Sequence, residues 1–442
     1  MPTQPHHSVA IVGGGQAGLS LSHYLTERSI DHVVFEKHRA MHVWRNQRWD
    51  NFCLVTPNWQ CRLPGHEYRG SDPHGFMKKD EIIDYLEGFK VAVNAPLREG
   101  VAVRRVAPHG QGGFAIETSD GSCTAEQVVV ASGGYHVPIV PRMAERLPRH
   151  LLQLHSEQYR NAAALPQGAV LVVGAGQSGA QIAEDLHLAG RQVVLAIGAA
   201  PRCARFYRGK DVVDWLADMG YYDMSVHEHP LREGVRDNTN HYVTGRDGGR
   251  DIDLRKFALE GMQLYGALSD VQGDGQGHMQ GHMRGGITLK FQPNLAAVLD
   301  SADRTYNGIN ASIDKYIAER GLHAPPGTPY VPVWAPAAER SELDLSASGI
   351  SSVIWCIGFS PDFAWLDAPV FNGRGHPQHV RGVTRQEGLY FLGLPWLHTW
   401  GSGRFSGVAR DALYLAERIE AHREATAAAA PDHAHAQPAL LS

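Results

Sequence analysis

Two short, wholly apolar runs, each stopped by glycines and followed by a stretch of helical periodicity, give the chain its outline. Ser8-Val-Ala-Ile-Val12 runs into Gly13, Gly15 and Gly18, and Ala169-Val-Leu-Val-Val173 runs into Gly174, Gly176 and Gly179. An unbroken apolar run of this length reads as a strand buried on both faces, and the mixed spacing after it as a helix. The first unit predicts a helix over about 18–28 and a second strand, Asp31-His-Val-Val-Phe35, ending at Glu36. Val128-Val-Val-Ala131 reads as a further parallel strand that enters Ser132-Gly133-Gly134. The second unit opens near Gln167, with a helix over about 178–188, Gly190 as its C-cap, and the strand Gln192-Val-Val-Leu-Ala-Ile197. Between Asp211 and Leu289 no period persists, and the Gly- and His-rich stretch 270–286 predicts an exposed loop. A helix over about 294–320, a strand at Ser352–Ile357, a strand at Leu389–Leu392 and a helix over about 405–424 complete the pattern. The Ala-rich tail 425–442 is expected to be disordered.

This alternation predicts an α/β fold with two dinucleotide-binding, Rossmann-like domains. The first is expected to be discontinuous, residues 1–165 and 351–424, with the second, 166–350, inserted into it and carrying the irregular segment 211–290. The chemistry follows from the glycines. A strand that breaks at a glycine turn and enters a helix lets backbone N–H groups and the helix N-terminus meet a pyrophosphate, which side chains at those positions would obstruct. Gly13, Gly15, Gln16 and Gly18, with Glu36 and Lys37, form the first candidate site. Glu36 follows the turn by about 20 positions, where a carboxylate accepts hydrogen bonds from a ribose diol. Gly174, Gly176, Gln177, Ser178 and Gly179 form the second. A pair of such sites predicts two bound dinucleotides, a flavin in the first and a nicotinamide in the second. At the end of the second unit's second strand, Ile197-Gly198-Ala-Ala200 carries no acid to repel a 2′-phosphate, and Arg202 and Arg205 follow. Arginine suits phosphate through its planar fork of donors, so these two predict NADPH.

Composition narrows the function by exclusion. Hydrophobic residues at 43% and charged residues at 20% describe an ordinary globular chain, and a net charge of −5 gives no footprint for nucleic acid or an anionic membrane. No apolar run reaches the roughly 20 residues of a membrane helix, and the first strand begins too early for a signal peptide, so a cytoplasmic protein is expected. The five cysteines, Cys53, Cys61, Cys123, Cys203 and Cys356, form no close pair, which excludes a redox-active dithiol. His278 and His282 lie four apart in a glycine-rich stretch without a third ligand, so no metal is expected.

The order of motifs resembles the class B flavin-containing monooxygenases, and within them the plant YUCCA-type enzymes. The resemblance rests on Gly13-Gly-Gly-Gln-Ala-Gly18, Trp44-Arg45, Trp49-Asp50, Pro57-Asn-Trp-Gln-Cys-Arg-Leu-Pro64, Lys79-Asp-Glu-Ile-Ile-Asp-Tyr-Leu86, Gly174-Ala-Gly-Gln-Ser-Gly179 and Cys356-Ile-Gly-Phe359. A narrower similarity is to bacterial flavin oxidoreductases that accompany nitrilase-type genes. The resemblance implies FAD and NADPH as cofactors, with O2 and a small organic molecule as substrates. NADPH would reduce FAD, O2 would add at flavin C4a, and the resulting hydroperoxide would oxygenate the substrate. It also implies that Trp44 and Arg45 flank the FAD, and that Gly133 marks the crossing between domains. Gly393 is set beside the flavin, and Asn58 passes near it. The segment Pro395-Trp-Leu-His-Thr-Trp-Gly401 before the last helix offers Trp396, His398 and Trp400 as candidate pocket residues. One departure keeps a second activity open. The family signature FxGxxxHxxx(W/P) retains His155 and Tyr159, but Leu147-Pro-Arg-His150 replaces its first part, which leaves a flavin reductase or dehydrogenase without oxygen transfer as the alternative. A homodimer is compatible with all of this.

Overall fold

The computed structural model describes residues 4–110, 112–273 and 286–429. His278, His282 and residues 430–442 of the expected tail lie outside the described residues.

Strand His6–Val12 is the pivot of the first sheet. Its inner residues Val9, Ala10 and Ile11 are fully buried, and it pairs in parallel with His32–Glu36 on one side and Gly121–Val130 on the other. The sheet has nine strands. Leu97–Glu99 extends one edge, and Leu389–Phe391 joins Gly121–Val130 in parallel near the other. The central strands are apolar on both faces because helices cover them. Gln16–Glu27 packs against the last helix, Val408–Ala429, and against Lys79–Val93. That last helix begins later and ends later than the sequence suggests, so positions 425–429 are helical.

The second sheet has five strands, all parallel, in the order Leu152–His155, Ile350–Trp355, Ala169–Val173, Val193–Ala196, Gln263–Tyr265. Every residue of Ala169–Val173 is buried. The strand expected at 352–357 and a further strand within 1–165, both placed by the sequence reading in the flavin domain's residue ranges, pair in this sheet. Ile350–Trp355 sits beside Ala169–Val173, so the chain leaves this sheet after Cys356 and not at 351. Leu152–His155 likewise places the first crossing before 165. The two crossings lie side by side, with Val137–Pro138 paired antiparallel to Phe359–Ser360. Helix Leu295–Arg320 runs to Gly321, whose φ of +60° closes its C-terminus. Among the described residues no helix is long and apolar enough to cross a membrane.

Candidate functional site

The first glycine turn is built by close approach. Gly13 has φ +118°, and a Cβ there would lie 2.5 Å from the carbonyl oxygen of Ala131 on the neighbouring strand. Gly18 must be bare as well, since its Cβ would fall 2.0 Å from the Gly13 carbonyl oxygen. These two glycines let strand, turn and helix touch. Gly15 differs, because a Cβ there would meet nothing within 4 Å and would project into an open cleft. It is the N-cap of Gln16–Glu27, no side chain caps that helix, and no acid occupies its first turn. The first amides are left for an anionic ligand. Glu36 completes the turn by accepting from the Gly14 and His38 amides at 2.9 Å each, which aims its carboxylate at the same opening.

The second turn repeats the design. Gly174 has φ +98°, and its Cβ would lie 2.6 Å from the Cys356 carbonyl oxygen. The Cβ of Gly179 would lie 1.9 Å from the Gly174 carbonyl oxygen. Gly176 caps Gln177–Leu188 without a side-chain bond or a first-turn acid, and only the Thr239 methyl comes near, at 3.3 Å from a built Cβ. The Gln177 side chain is committed elsewhere. It donates to the Val243 carbonyl at 2.7 Å and accepts from the Val243 amide, pinning the loop that overhangs the turn. Ser178 is exposed at the rim.

Both turns open on one cleft of about 2190 Å³ between the two sheets. Lys37, Trp44, Gly133 and Gly393 line it as well. Trp44 rests on Phe405, ring centres 5.4 Å apart, and edge-on to Phe52. Gly393 has φ +80°, and its Cβ would lie 2.6 Å from the Ala17 Cβ, so the last strand's exit sits directly over the first helix. Both turns thus leave a helix N-terminus uncapped and open to the cleft, a geometry that a dinucleotide pyrophosphate would fit.

Five other expected residues are placed differently. Arg45 turns away from the cleft and pairs with Glu87 on helix Lys79–Val93. Asn58 is buried and braces its own loop, donating to the Asp72 carbonyl at 3.0 Å and accepting from the Met77 amide at 2.7 Å. It does not reach the cleft. His398 does not line the cleft either; its amide bonds Ser402 and its carbonyl accepts from Val226. Arg202 and Arg205 do not line the cleft. The Arg202 guanidinium lies between the Tyr306 and Tyr330 rings, 4.5 and 4.2 Å from their centres, and meets Asp303 and Asp253. Arg205 is fully buried, pairs with Asp211 at 2.6 Å and stacks on Phe76. Buried charges need partners, and these two meet acids of their own unit, although Nε and Nη2 of Arg202 and Nε of Arg205 have no hydrogen-bond partner.

The cleft contains cations that sequence reasoning did not single out. Arg48 stacks over Trp44 at 5.1 Å and Phe52 at 5.5 Å, and burial pushes its pKa down to about 10. Arg404 lies flat on Trp400 at 3.8 Å, donates to Asn240 at 2.9 Å, and is also held below its ordinary pKa by burial. Arg404 lies just beyond the aromatic segment that attracted notice, and its neighbour Asn240 comes from a loop without periodicity.

Comparison with known proteins agrees with this geometry. The family of pyridine nucleotide-disulphide oxidoreductases matches residues 10–217. In this chain all five cysteines are free and buried. An uncharacterized CzcO-like oxidoreductase of Geobacillus kaustophilus is 30% identical over 94% of this chain and 98% of that protein. The rice indole-3-pyruvate monooxygenase YUCCA4 is 31% identical over 40% of this chain and 44% of that one. The flavin-containing monooxygenase of Stenotrophomonas maltophilia shares the fold, with a TM-score of 0.55, 19% identity, and coverage of 95% of this chain and 99% of that one. With this end-to-end similarity the chain belongs to the family of the CzcO-like oxidoreductases, and its paired nucleotide folds are those of a flavin-dependent oxidoreductase.

Proposed function

We propose that the protein is a monooxygenase that binds FAD in the Gly13–Gly18 cradle and a nicotinamide dinucleotide in the Gly174–Gly179 cradle, and oxygenates a small organic molecule. One observation carries this reading: both cradles open on a single cleft, so a hydride donor and a flavin would share one space. FAD supplies the redox and oxygen chemistry when bound. The protein's part is to position and to exclude water. Glu36 holds the ribose end of the flavin nucleotide. The first amides of the two helices take the pyrophosphates, and Trp44, Leu394 and Trp396 make an apolar wall that keeps bulk water from the reacting edge.

The dinucleotide need not be NADPH. Gly198 and Ala199 line the cleft where a 2′-phosphate would lie, and with Arg202 and Arg205 neutralised by acids nothing there selects for or against it. NADPH and NADH are therefore expected to reduce the flavin with kcat/KM values within about tenfold of each other.

The second reading, a reductase without oxygen transfer, draws on His155. This residue retained from the family signature is buried, and its Nε2 lies 3.1 Å from the Gly358 carbonyl, so it braces the crossing and does not face the cleft. Rapid mixing of reduced protein with oxygenated buffer separates the two. A transient absorbance distinct from both oxidised and reduced flavin supports oxygenation. Direct return to oxidised flavin overturns it in favour of the reductase.

A further inference from the structure

We infer that residues 221–240 form a strap that must lift for the nicotinamide dinucleotide to enter or leave its cradle. The inference rests on the proposed reading of the Gly174–Gly179 turn as that cradle.

The strap belongs to the second unit, yet it is fastened to segment 396–410 of the first. Ser225 forms an antiparallel bridge with Thr399, and the Val226 amide donates to the His398 carbonyl at 2.6 Å. Arg410 donates to Asp223 at 2.6 Å and to the Tyr222 carbonyl at 3.0 Å. Further along, Arg236 Nε donates to the Trp396 carbonyl at 3.1 Å, and Arg404 donates to Asn240 at 2.9 Å. Past these latches the chain runs over the second glycine turn. Asn238, Thr239 and Asn240 line the cleft, and among the described residues only the Thr239 methyl comes within 4 Å of a Cβ built at Gly176. A pyrophosphate on the first amides of Gln177–Leu188 would therefore lie between the turn and the strap. The strap then continues to Val243, which Gln177 pins from below.

Two features make this segment a lid. Its anchorage is thin, for between 221 and 240 only Val226 and Val235 are buried. The Arg410–Asp223 pair is largely exposed, and pairs of that kind contribute little. A segment with so few buried apolar contacts opens at lower free energy than the body that carries it. The second feature is strain at the latch. Trp396 has φ +50° and is, among the described residues, the one aromatic side chain in the left-handed region. A bulky residue keeps such a backbone only where its surroundings hold it. The strap supplies part of that hold, with Arg236 on the carbonyl and the His229 and Tyr221 rings edge-on to the indole, centres 5.2 and 6.3 Å away. Lifting the strap frees Trp396 to relax, so the strain favours release.

Ser225→Cys combined with Thr399→Cys tests this, because facing residues of an antiparallel bridge lie within disulfide reach. All five native cysteines are buried, and each single variant serves as a control. FAD-loaded protein is oxidised to the disulfide, and its reduction by NADPH and by NADH is followed by stopped flow. Dithionite serves as a reductant that needs no cradle. Either dinucleotide should reduce the locked form about tenfold or more slower than wild type, while dithionite reduces both alike. A thiol reductant followed by desalting should restore the rate. The converse variant, Arg236→Ala with Arg410→Ala, should release NADP+ about tenfold faster than wild type in a displacement experiment. Locked protein that accepts hydride at the wild-type rate would overturn the inference. So would a slowing shared by dithionite, which would place the fault at the flavin, or an unlatched variant that releases NADP+ at the wild-type rate. Wild-type protein that neither dinucleotide reduces would remove the cradle reading and the strap with it. Absence of oxygen transfer, by contrast, leaves the strap untouched.

Discussion

Arg205 donates to Asp211 across 2.6 Å in a region from which solvent is fully excluded around the arginine. The pair lies directly after the strand whose end should read the nicotinamide ribose, and it turns an apparent phosphate ligand into a piece of the core. Replacing Arg205 with Gln strands a buried carboxylate, and the expected loss of stability is about 3–5 kcal/mol. Urea unfolding of the variant beside wild type measures this. A variant with unchanged stability and a selectively raised KM for NADPH would return Arg205 to the cofactor.

Selectivity should instead be open to design at the cleft rim. Ala199 is exposed there, at the end of the second unit's second strand. Ala199→Arg is expected to raise the ratio of kcat/KM for NADPH over NADH by about tenfold or more, through a charge-assisted pair with the 2′-phosphate. Steady-state flavin reduction with both dinucleotides decides it.

The two kinds of glycine in the first turn predict opposite failures. Gly18→Ala forces a methyl to 2.0 Å from the Gly13 carbonyl oxygen and should prevent folding or displace the helix. Gly15→Ala meets no protein atom, so it should fold normally yet lower FAD affinity about tenfold or more by filling the cradle. Circular dichroism with flavin content after gel filtration distinguishes them. Glu36→Ala should resemble Gly15→Ala, because it removes the acceptor of the Gly14 amide and, on the proposed reading, of the ribose.

The cleft also sets a pH limit on stability. Burial, helped by the nearby Arg236 charge, lowers the pKa of His379 to about 4, and its Nδ1 accepts from the Gly382 amide. The neutral ring is therefore the native form, while the unfolded chain binds the proton near pH 6.5. Stability from this group is complete above about 6.5 and declines as pH falls from there towards 4. Denaturant midpoints at pH 7 and pH 5 should differ, and His379→Asn, which keeps an acceptor, should shrink the difference. An unchanged difference would move its origin to other groups.

The legible parts of this protein are those whose cause is local. Apolar strands, glycine turns and the carboxylate at Glu36 are dictated by residues a few positions apart, and the cradles stand where the sequence places them. Which sheet a strand joins is not local. Ser352–Ile357 is expected in the first unit from the sequence, and only its pairing with Ala169–Val173 and Leu152–His155 places it in the second sheet. The same holds for charge. Arg202, Arg205, Arg45 and Arg404 look alike as letters, but three of them are neutralised by acids brought close through folding, among them Asp303, 101 positions from Arg202. Only the tertiary structure decides which arginines meet an acid, because a desolvated charge is defined by everything that surrounds it.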